Sequence, residues 1–543
     1  MEFKPRQIFI KNGHFIVACF LLIPFLYYLL AIRSYIPGYD EACQTEAAIR
    51  LSKGYGNTYS WMVNKDLSTP NFSFQNAWPI GYSFSLGSLL FIGLPLEYAL
   101  KLLKLSIVVA TIFAWLRLSN FYIKDIWLKV IFAGFATGYI IKYAQSITDM
   151  IIVLFLSVFS ILLFTKNEHE TSNRFSYWQK YTRHPFTIGL LIGIMLLFKY
   201  SGMFIAASCA FWIFFVTNGL LKESLINLIK FSIPVILIMA YTLINNQHST
   251  TSTYAITASK FVMNIPFFYN GWAGDIFNAI FQSTYLDKMM DTILPNVNSN
   301  FLYLVIFVKA IFFLVFFSTL FLLLKKGGKF RELSFWVIIN YLALIVFLKV
   351  VSGFFFEDVL HWLPLKEGRY YWPLCLFLPM GMLIILEPKW NVLSSISKAA
   401  ITLGITISIF VGICFYADYK YDQYHSLNIE IPLLKVELSK LIKEDTNTIV
   451  FGDQINWQLY PDKGRYNVFG QPPKFSESQF FSKKTMVIML CSSNTYLPSG
   501  SDVELDANEI FEQVANTHSF NRIKVGNFTT IFWREFPAGF SFK

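Results

Sequence analysis

Charged residues and cysteines are both scarce in this chain. Only 15% of its 543 residues are charged, while 55% are hydrophobic, which is more apolar than the usual composition of a soluble domain. The apolar residues fall in repeated runs long enough to cross a hydrocarbon core of about 30 Å. The sequence therefore predicts an integral, multi-pass α-helical membrane protein.

The six cysteines have no Cys-x-x-Cys spacing, and four of them lie within apolar runs. Cysteines in such runs are usually small core residues, so the sequence indicates neither a disulfide framework nor a zinc site. The C-terminal region also lacks a nucleotide fingerprint of the Gly-x-Gly-x-x-Gly type at its predicted helices. We assign no cofactor to that region.

The formal net charge of +11 would suggest nucleic-acid binding in a soluble protein. Here Lys and Arg cluster between the apolar runs, as they do when they set the orientation of membrane helices, and we exclude nucleic acid as a partner. Lys4, Arg6 and Lys11 precede the first run, and no small-residue cleavage site follows it. The sequence thus predicts a retained anchor with a cytoplasmic N-terminus.

Run length and apolarity predict about eleven spans. They lie near residues 14–32, 99–118, 127–143, 150–165, 186–199, 201–218, 229–245, 302–324, 333–351, 371–387 and 398–416. An odd number places the C-terminus outside, and the basic clusters fall in the loops that this count makes cytoplasmic. The stretch 186–218 is either two short spans broken at Lys199 to Gly202 or one long bent helix.

The span pattern divides the chain into two predicted domains. Residues 1–416 form the membrane domain, and 417–543 form a small extracytoplasmic α/β domain, because charge rises beyond 417 and short strand-like and helical pieces alternate there. The predicted pieces are a helix over Leu433–Ile442, strands over Asn447–Phe451 and Thr485–Leu490, a helix over Ala507–Val514 and a hairpin over Arg522–Trp533. Three external segments of the membrane domain are too long for simple turns: 33–98, 246–301 and 352–370.

The first external segment carries two adjacent carboxylates, Asp40 and Glu41, just beyond the first span. At the end of a span they avoid most of the desolvation cost, which is about 2.5–3.5 kcal/mol at mid-bilayer, yet they can act on a substrate held in lipid. A lipid-linked phosphate donor needs a carboxylate as base and cations on its phosphate. Outside-facing candidates are the acids Asp40, Glu41 and Asp149 and the cations Arg50, Lys53, Lys142, Lys199, Lys366 and Arg369. The apolar stretch Phe84–Leu94 suits a helix lying in the interface.

The order of these motifs resembles that of the GT-C class of polyprenyl-phosphate-sugar-dependent membrane glycosyltransferases, which includes protein O-mannosyltransferases and lipid A aminoarabinose transferases. Asp40-Glu41 resembles the acidic motif of the first external loop in this class, and Asp149 resembles its second acidic position. Lys199-Tyr200 is similar to the end of a Gly-x-x-x-x-x-Lys segment, and Arg369-Tyr370-Tyr371-Trp372-Pro373 is similar to an Arg-Tyr-x-x-Pro motif. Trp78-Pro79-Ile80-Gly81-Tyr82 is similar to a His/Trp-Pro-Pro-x-Tyr element, in which Ile80 here replaces the second proline. The resemblance covers about the first 390 residues.

The resemblance implies transfer of a sugar from a polyprenyl-phosphate donor to an extracytoplasmic lipid, glycan or protein, by one displacement that inverts the anomeric centre, in a bacterial inner membrane. By resemblance Asp40 is the base, Glu41 a supporting carboxylate and Asp149 a second acid or metal ligand. The donor-phosphate contacts would be Lys199, Arg369 and Tyr370, with Tyr39, Trp78, Tyr82, Lys142 and His361 as secondary candidates. Mg²⁺ or Mn²⁺ bound by Asp40 and Asp149 is an open alternative to cationic side chains at the phosphate.

Each of these residues also has a purely structural interpretation. Asp40 and Glu41 could be the N-cap and first-turn acid of a helix over Ala42–Leu51, and Asp149 could cap the span that follows it. Lys199 could extend to the interface, and Arg369 could be an interface anchor or pair with Glu367.

The functional alternative is a transporter or flippase, which predicts internal repeats and interrupted spans. The sequence shows no convincing repeat between its halves and gathers its acids on one face, which favours an enzyme. A polysaccharide polymerase or ligase would use the same lipid donors and differ in its acceptor.

Overall fold

The computed structural model describes most of the chain. The described residues are 5–31, 39–59, 65–69, 73–74, 79–144, 146–164, 184–216, 221–247, 300–355, 371–442, 447–452, 466–469, 475, 477–492, 507–527 and 529–542. Among the predicted site residues, Trp78, His361, Arg369 and Tyr370 lie outside them, as do the side chains of Tyr39 and Asp40. Two of the three predicted external segments, 246–301 and 352–370, are almost entirely outside them as well.

Helices make up most of the described chain. They are α1 Pro5–Ala31, α2 Tyr39–Ser52, α3 Gly81–Phe91, α4 Leu96–Tyr122, α5 Ile126–Tyr143, α6 Ile147–Phe164, α7 Pro185–Phe198, α8 Met203–Phe215, α9 Leu221–Gln247, α10 Asn300–Lys326, α11 Gly328–Phe355, α12 Trp372–Cys375, α13 Phe377–Trp390, α14 Ser395–Leu441 and α15 Ala507–Thr517. The strands are β1 Thr58–Tyr59, β2 Ser73–Phe74, β3 Asn447–Gly452, β4 Tyr466–Phe469, β5 Phe480–Phe481, β6 Thr485–Ser492, β7 Asn521–Val525, β8 Thr529–Phe536 and β9 Phe540–Ser541.

Eight helices in the described part of the chain are long and apolar enough to cross a membrane. The chain is therefore an integral membrane protein, as its composition predicts. All eleven predicted apolar runs lie on helices, but the count of eleven spans is not confirmed. The stretch 186–218 is broken as one alternative proposed: α7 and α8 have 14 and 13 residues, and a short 3-10 turn, Tyr200–Gly202, separates them.

The turn between α4 and α5 is closed by side chains from later helices. Asp125 caps α5 by accepting a hydrogen bond from the Trp127 amide at 2.8 Å, and its other oxygen lies 3.3 Å from the Lys398 ammonium. Glu387 accepts hydrogen bonds from the amides of Lys124 and Asp125, both at 2.8 Å. These bonds satisfy amides that the helix ends would otherwise leave without partners.

Residue contacts divide the chain into two compact units. The first unit contains Met1–Phe25, Lys104–Ile244 and Ser252–Cys414, and the second contains Leu26–Leu103, Asn245–Thr251 and Phe415–Lys543. The first external segment thus groups with the C-terminal region. The 47-residue helix α14 runs through the predicted boundary at 417, since residues 417–431 contain neither Gly nor Pro to stop it. The assignment of 417–543 as a separate domain stays a prediction.

The second unit contains a five-stranded mixed sheet with the order β4-β3-β6-β8-β7. Strands β4, β3 and β6 are parallel, while β8 is antiparallel to both β6 and β7. The predicted strands, the helix near 507–514 and the hairpin turn at Gly526 are all present. Gly526 has a φ of +65°, which glycine adopts at little cost.

Helices cover both faces of this sheet. On one face Leu434, Leu438 and Ile442, from the end of α14 and just beyond it, pack against Ile488 and its neighbours. On the other face Phe511 and Ala515 of α15 pack against Val487, Met489 and Phe532. Successive residues of β6 therefore enter opposite cores, which explains why this strand reads as a continuous apolar run.

Candidate functional site

The first group of candidate residues lies in the membrane unit, where Asp149 and Lys199 meet. Asp149 is in the first turn of α6, and Lys199 follows the last residue of α7. The Lys199 Nζ lies 3.2 Å from the Asp149 Oδ1. Both residues are buried, with 3% of Asp149 and 9% of Lys199 exposed. The structure thus joins two of the predicted site residues in a buried ion pair.

Local structure fixes both partners of this pair. Ser146 donates a hydrogen bond from its hydroxyl to the Asp149 Oδ2 at 2.7 Å, and the Asp149 amide donates to the Ser146 oxygen at 3.4 Å. The second of these bonds makes Ser146 the N-cap residue of α6, since its side chain accepts from a first-turn amide. Lys199 has an extended backbone, with φ −155° and ψ 121°, because the chain leaves α7 there before the 3-10 turn begins. Ser146, not Asp149, therefore caps α6, while Asp149 lies in the first turn and pairs with the lysine.

Two hydroxyls close to the pair in sequence have no hydrogen-bond partner among the described residues. They belong to Thr148 and Ser201, which are 1% and 8% exposed. A buried hydroxyl without a partner carries a free-energy cost, and a bound polar ligand would remove that cost. Sequence reasoning missed both residues, because Thr and Ser are common in membrane helices and neither carries a charge.

An aromatic group lies at the end of α5, one short turn before α6. The rings of Tyr143 and Trp372 are 4.2 Å apart, and Tyr139 donates its hydroxyl to the Trp372 carbonyl at 3.3 Å. The Lys142 ammonium lies 5.3 Å from the Tyr143 ring centre, in a cation–π arrangement. Trp372 comes two residues after Tyr370, so the motif at 369–373 ends against α5. The secondary candidate Lys142 is part of this group.

The second group lies in the other unit, on α2 and α3. The helix α2 begins at Tyr39, so Asp40 and Glu41 lie in its first turn, where the helix dipole favours a negative charge. Glu41 is only 2% exposed, and Tyr82 on α3 is fully buried. Burial and the Glu41 carboxylate raise the pKa of the Tyr82 phenol well above its ordinary value. The phenol therefore stays protonated, and it shares a 3.2 Å hydrogen bond with Thr45.

Helix α2 is polar yet almost wholly buried. Its Glu46 and Arg50 form an ion pair of 3.1 Å with both side chains at most 10% exposed. The Ser83 hydroxyl of α3 donates to the Gln44 carbonyl at 3.0 Å. Burying a charged group is costly unless it is paired and hydrogen-bonded, and Glu46 and Arg50 are paired in this way.

Known structures supply the fold-level comparison. The crystal structure of ArnT from Cupriavidus metallidurans in the apo state matches with a TM-score of 0.52 and 10% sequence identity, over 96% of this chain and 98% of that chain. This chain therefore has an ArnT-like fold. The crystal structure of ArnT from the same organism bound to undecaprenyl phosphate matches with a TM-score of 0.49, also at 10% identity and the same coverage. No protein-family model matches the sequence, and no curated protein matches it significantly.

The ArnT-like fold agrees with the fold that the motif resemblance implies, while the family and the roles of single residues stay predictions. The structure brings Asp149 and Lys199 together, and it places Glu41 and Tyr82 on neighbouring helices. Arg369, Tyr370, Trp78 and His361 lie outside the described residues.

The divalent-metal site predicted at Asp40 and Asp149 stays a prediction. Within the described ranges, no three His, Cys, Asp or Glu residues are grouped so that they could hold a metal ion. Asp149 already has an ammonium at 3.2 Å from one oxygen, and a divalent cation at that oxygen would be repelled by it. The Asp40 side chain lies outside the described residues, so its part in a metal site stays a prediction.

Proposed function

We propose that this protein transfers a sugar from a polyprenyl-phosphate donor to an extracytoplasmic acceptor that is a lipid, a glycan or a protein. The ArnT-like fold and the membrane helices support the class of reaction and the lipid character of the donor. The observation that carries the proposal is the buried ion pair of Asp149 and Lys199. The pair fixes the position of the Lys199 ammonium between α7 and α8.

In the proposed reaction, Lys199 contacts the donor phosphate and Asp149 orients the lysine. An ammonium group can donate up to three hydrogen bonds, so one lysine can bridge a carboxylate and a phosphate oxygen. The charge on the phosphate grows as its bond to the sugar breaks, and a cation held in a dry site stabilises that charge strongly. The buried hydroxyls of Thr148 and Ser201 are further donors for the same group.

The acceptor oxygen or nitrogen attacks the anomeric carbon from the face opposite the phosphate. Its proton passes to Asp40 as the base, the bond between sugar and phosphate oxygen breaks, and polyprenyl phosphate leaves. One such displacement inverts the anomeric centre. Glu41 supports Asp40, while Arg369 and Tyr370 add contacts to the phosphate. We propose no step through a metal, because the ammonium beside Asp149 already supplies the positive charge.

This reaction requires the catalytic residues to face the side opposite the cytoplasm. The basic clusters between the apolar runs support a cytoplasmic N-terminus and an extracytoplasmic C-terminal region. A bacterial inner membrane is the proposed location.

The test compares two lysines that each belong to an ion pair of similar length, buried for Lys199 and partly buried for Lys398. Lys199 lies 3.2 Å from Asp149, and Lys398 lies 3.3 Å from Asp125 in a loop predicted to be cytoplasmic. Purified Lys199→Gln and Lys398→Gln variants are supplied with radiolabelled polyprenyl-phosphate sugars and membrane acceptors. We expect sugar transfer to fall on the order of 10²-fold in Lys199→Gln and to stay near wild type in Lys398→Gln. Equal transfer by Lys199→Gln and wild type would remove the lysine from the mechanism.

A further inference from the structure

The first external segment is joined to the C-terminal sheet by residues 65–69, which we call the docking segment. Strands β1 and β2 pair in antiparallel fashion, Thr58 with Phe74 and Tyr59 with Ser73, and the docking segment lies in the connection between them. The same ribbon links α2, which carries Asp40 and Glu41, to α3. Contacts that hold the docking segment therefore also restrain the helices α2 and α3.

Backbone hydrogen bonds form the first link. The Leu67 amide donates to the Phe480 carbonyl, and the Phe480 amide donates to the Lys65 carbonyl, both at 2.9 Å. Asp66 and Phe480 form a parallel β-bridge, while β5, which contains Phe480, also pairs with β9. The docking segment thus adds a third, short strand beside β5.

The Asp66 carboxylate forms the second link. It accepts hydrogen bonds from the Ser482 hydroxyl at 2.5 Å, from the Ser482 amide at 3.1 Å and from the Ser68 amide at 2.9 Å. Burial acts to raise the pKa of Asp66, but the hydrogen bonds from Ser482 and Ser68 outweigh it and lower the pKa below its ordinary value. The carboxylate is therefore ionised at neutral pH, and hydrogen bonds to an ionised acceptor are the stronger kind.

Ser68 forms the third link. Its oxygen accepts a hydrogen bond from the Lys483 amide at 3.0 Å, and its carbonyl accepts one from the Asn447 side-chain amide at 2.8 Å. Asn447 begins β3, and its amide group also donates to the Thr485 hydroxyl at 3.1 Å. Ser68 is thus connected to two central strands of the sheet at the same end.

Leu67 supplies the apolar part of the contact. It is 1% exposed and packs in the same core as Phe451, Phe481, Val487 and Phe511. A loop that merely crossed the surface would keep its apolar side chain in solvent. Leu67 instead completes the core on the α15 face of the sheet, so the sheet and the loop form one packed body within this unit.

The chain between α2 and β1 is also ordered by hydrogen bonds. The amides of Lys53 and Tyr55 donate to the Arg50 carbonyl at 3.1 and 3.0 Å, and the Thr58 amide donates to the Gly56 carbonyl at 2.9 Å. These bonds leave the connection between α2 and β1 little conformational freedom. On the other side α3 packs closely on α2, since a Cβ placed at Gly87 would lie 3.0 Å from the Ala48 carbonyl oxygen.

We infer that the C-terminal sheet holds the acidic helix α2 in its working position through the docking segment, with Asp66, Leu67 and Ser68 as positioning residues. The inference rests on the proposed function, because the position of α2 matters only if Asp40 and Glu41 act on a substrate. The C-terminal region then has the role of positioning α2, which differs from selecting the acceptor and from shielding the site.

The experiment first removes the side-chain contacts of the docking segment and then replaces them with a disulfide bond. In the full-length protein, Asp66→Ala combined with Ser68→Ala removes the side-chain links, while Asp66→Cys combined with Ser482→Cys replaces them by a bond that oxidation closes and a reductant opens. Hydrogen exchange at the Leu67 and Phe480 amides reports docking without any reference to activity. Glu535→Gln is the control, because it breaks an exposed ion pair with Lys484 on the same sheet and removes no hydrogen bond to the docking segment.

We expect the double alanine variant to lose amide protection and to lose turnover of sugar transfer by about tenfold or more, since small displacements of reacting groups reduce rates by such factors. The Michaelis constant for the lipid donor should change less than turnover. The oxidised double cysteine variant should recover both protection and turnover, and reduction should abolish both again. Glu535→Gln should match wild type.

Two results would overturn the inference. Turnover that stays at the wild-type level while amide protection is lost would show that docking does not position the site. Unchanged protection in the double alanine variant would show that Asp66 and Ser68 do not hold the segment. A wild-type protein that transfers no sugar from any donor would instead overturn the proposed function, while the exchange data would still report docking.

Discussion

At the scale of single residues, the buried pair of Asp149 and Lys199 depends on a helix start and a helix end that face each other. Asp149 lies in the first turn of α6 and is hydrogen-bonded to the N-cap residue Ser146, so its carboxylate is placed by the start of that helix. Lys199 leaves α7 in an extended conformation, which directs its side chain away from the helix it ends. Neither residue relies on a long flexible loop, and such placement suits a group that must meet a substrate at a fixed point.

A stability measurement separates the structural part of this pair from its chemical part. Asp149→Asn leaves a buried ammonium without its carboxylate, and breaking a buried pair in this way costs about 3–5 kcal/mol. The double variant Asp149→Asn with Lys199→Gln removes both charges and should recover much of that loss in thermal unfolding. Sugar transfer should remain low in both variants.

Recovery of both sugar transfer and thermal stability in the double variant would contradict this prediction. That result would make the pair a structural support only. Ser157, which lies on α6 and bonds its own helix at the Leu154 carbonyl, provides a control variant, Ser157→Ala, with little expected effect on transfer.

At the scale of elements, the close approach of α2 and α3 decides where the acidic pair lies. A Cβ at Gly87 would lie 3.0 Å from the Ala48 carbonyl oxygen and 3.4 Å from the Leu51 side chain. A larger residue there must push α2 away, because the carbonyl belongs to the helix backbone and cannot turn aside.

We expect Gly87→Val to destabilise the protein by about 1–3 kcal/mol, as overpacking typically does, and to lower the turnover of sugar transfer. Ser88→Val is the matched control: Ser88 is the next residue of the same helix and is exposed, so the same side chain meets no neighbour there. Thermal unfolding and transfer assays of the two variants, side by side, provide the check. Equal behaviour of the two variants would contradict this account of the α2–α3 contact.

Helices and strands with strong patterns could be predicted from the sequence. Each apolar run corresponds to a helix, and β6 could be recognised because both of its faces are buried. The full length of α14 is not predicted, because the rise in charge beyond residue 417 indicates the end of a span, although residues 417–431 contain neither Gly nor Pro. The strands β1 and β2 have two residues each, and such short pairs leave no periodic pattern to read.

At the scale of the whole molecule, the two compact units each contain one group of candidate residues. The first contains Asp149 and Lys199, and the second contains Asp40, Glu41 and Tyr82. The sequence identified these residues by type and by predicted side of the membrane, but it could not pair Lys199 with Asp149, because that contact depends on how two helices pack. It also gave no sign of the docking segment, since Leu67 and Phe481 are far apart in the chain and meet only in the folded core.

The positions of the candidate residues bear on the alternative of a transporter. Among the described residues, the candidate carboxylates and cations lie at or near helix ends, not at the middle of spans. A transporter would place its binding site near the middle of the bilayer, between interrupted helices. The break between α7 and α8, where Lys199 faces Asp149, is one interruption among the described helices.

The most direct test of the central claim is the fate of the lipid donor. Purified wild-type protein is reconstituted in vesicles with a doubly labelled polyprenyl-phosphate sugar, and both labels are followed after an acceptor fraction is added. The account predicts that each sugar transferred releases one polyprenyl phosphate, and that the new glycosidic bond has the anomeric configuration opposite to that of the donor. Movement of the intact donor across the bilayer, with no cleavage for any sugar in the panel, would contradict it and identify a flippase instead.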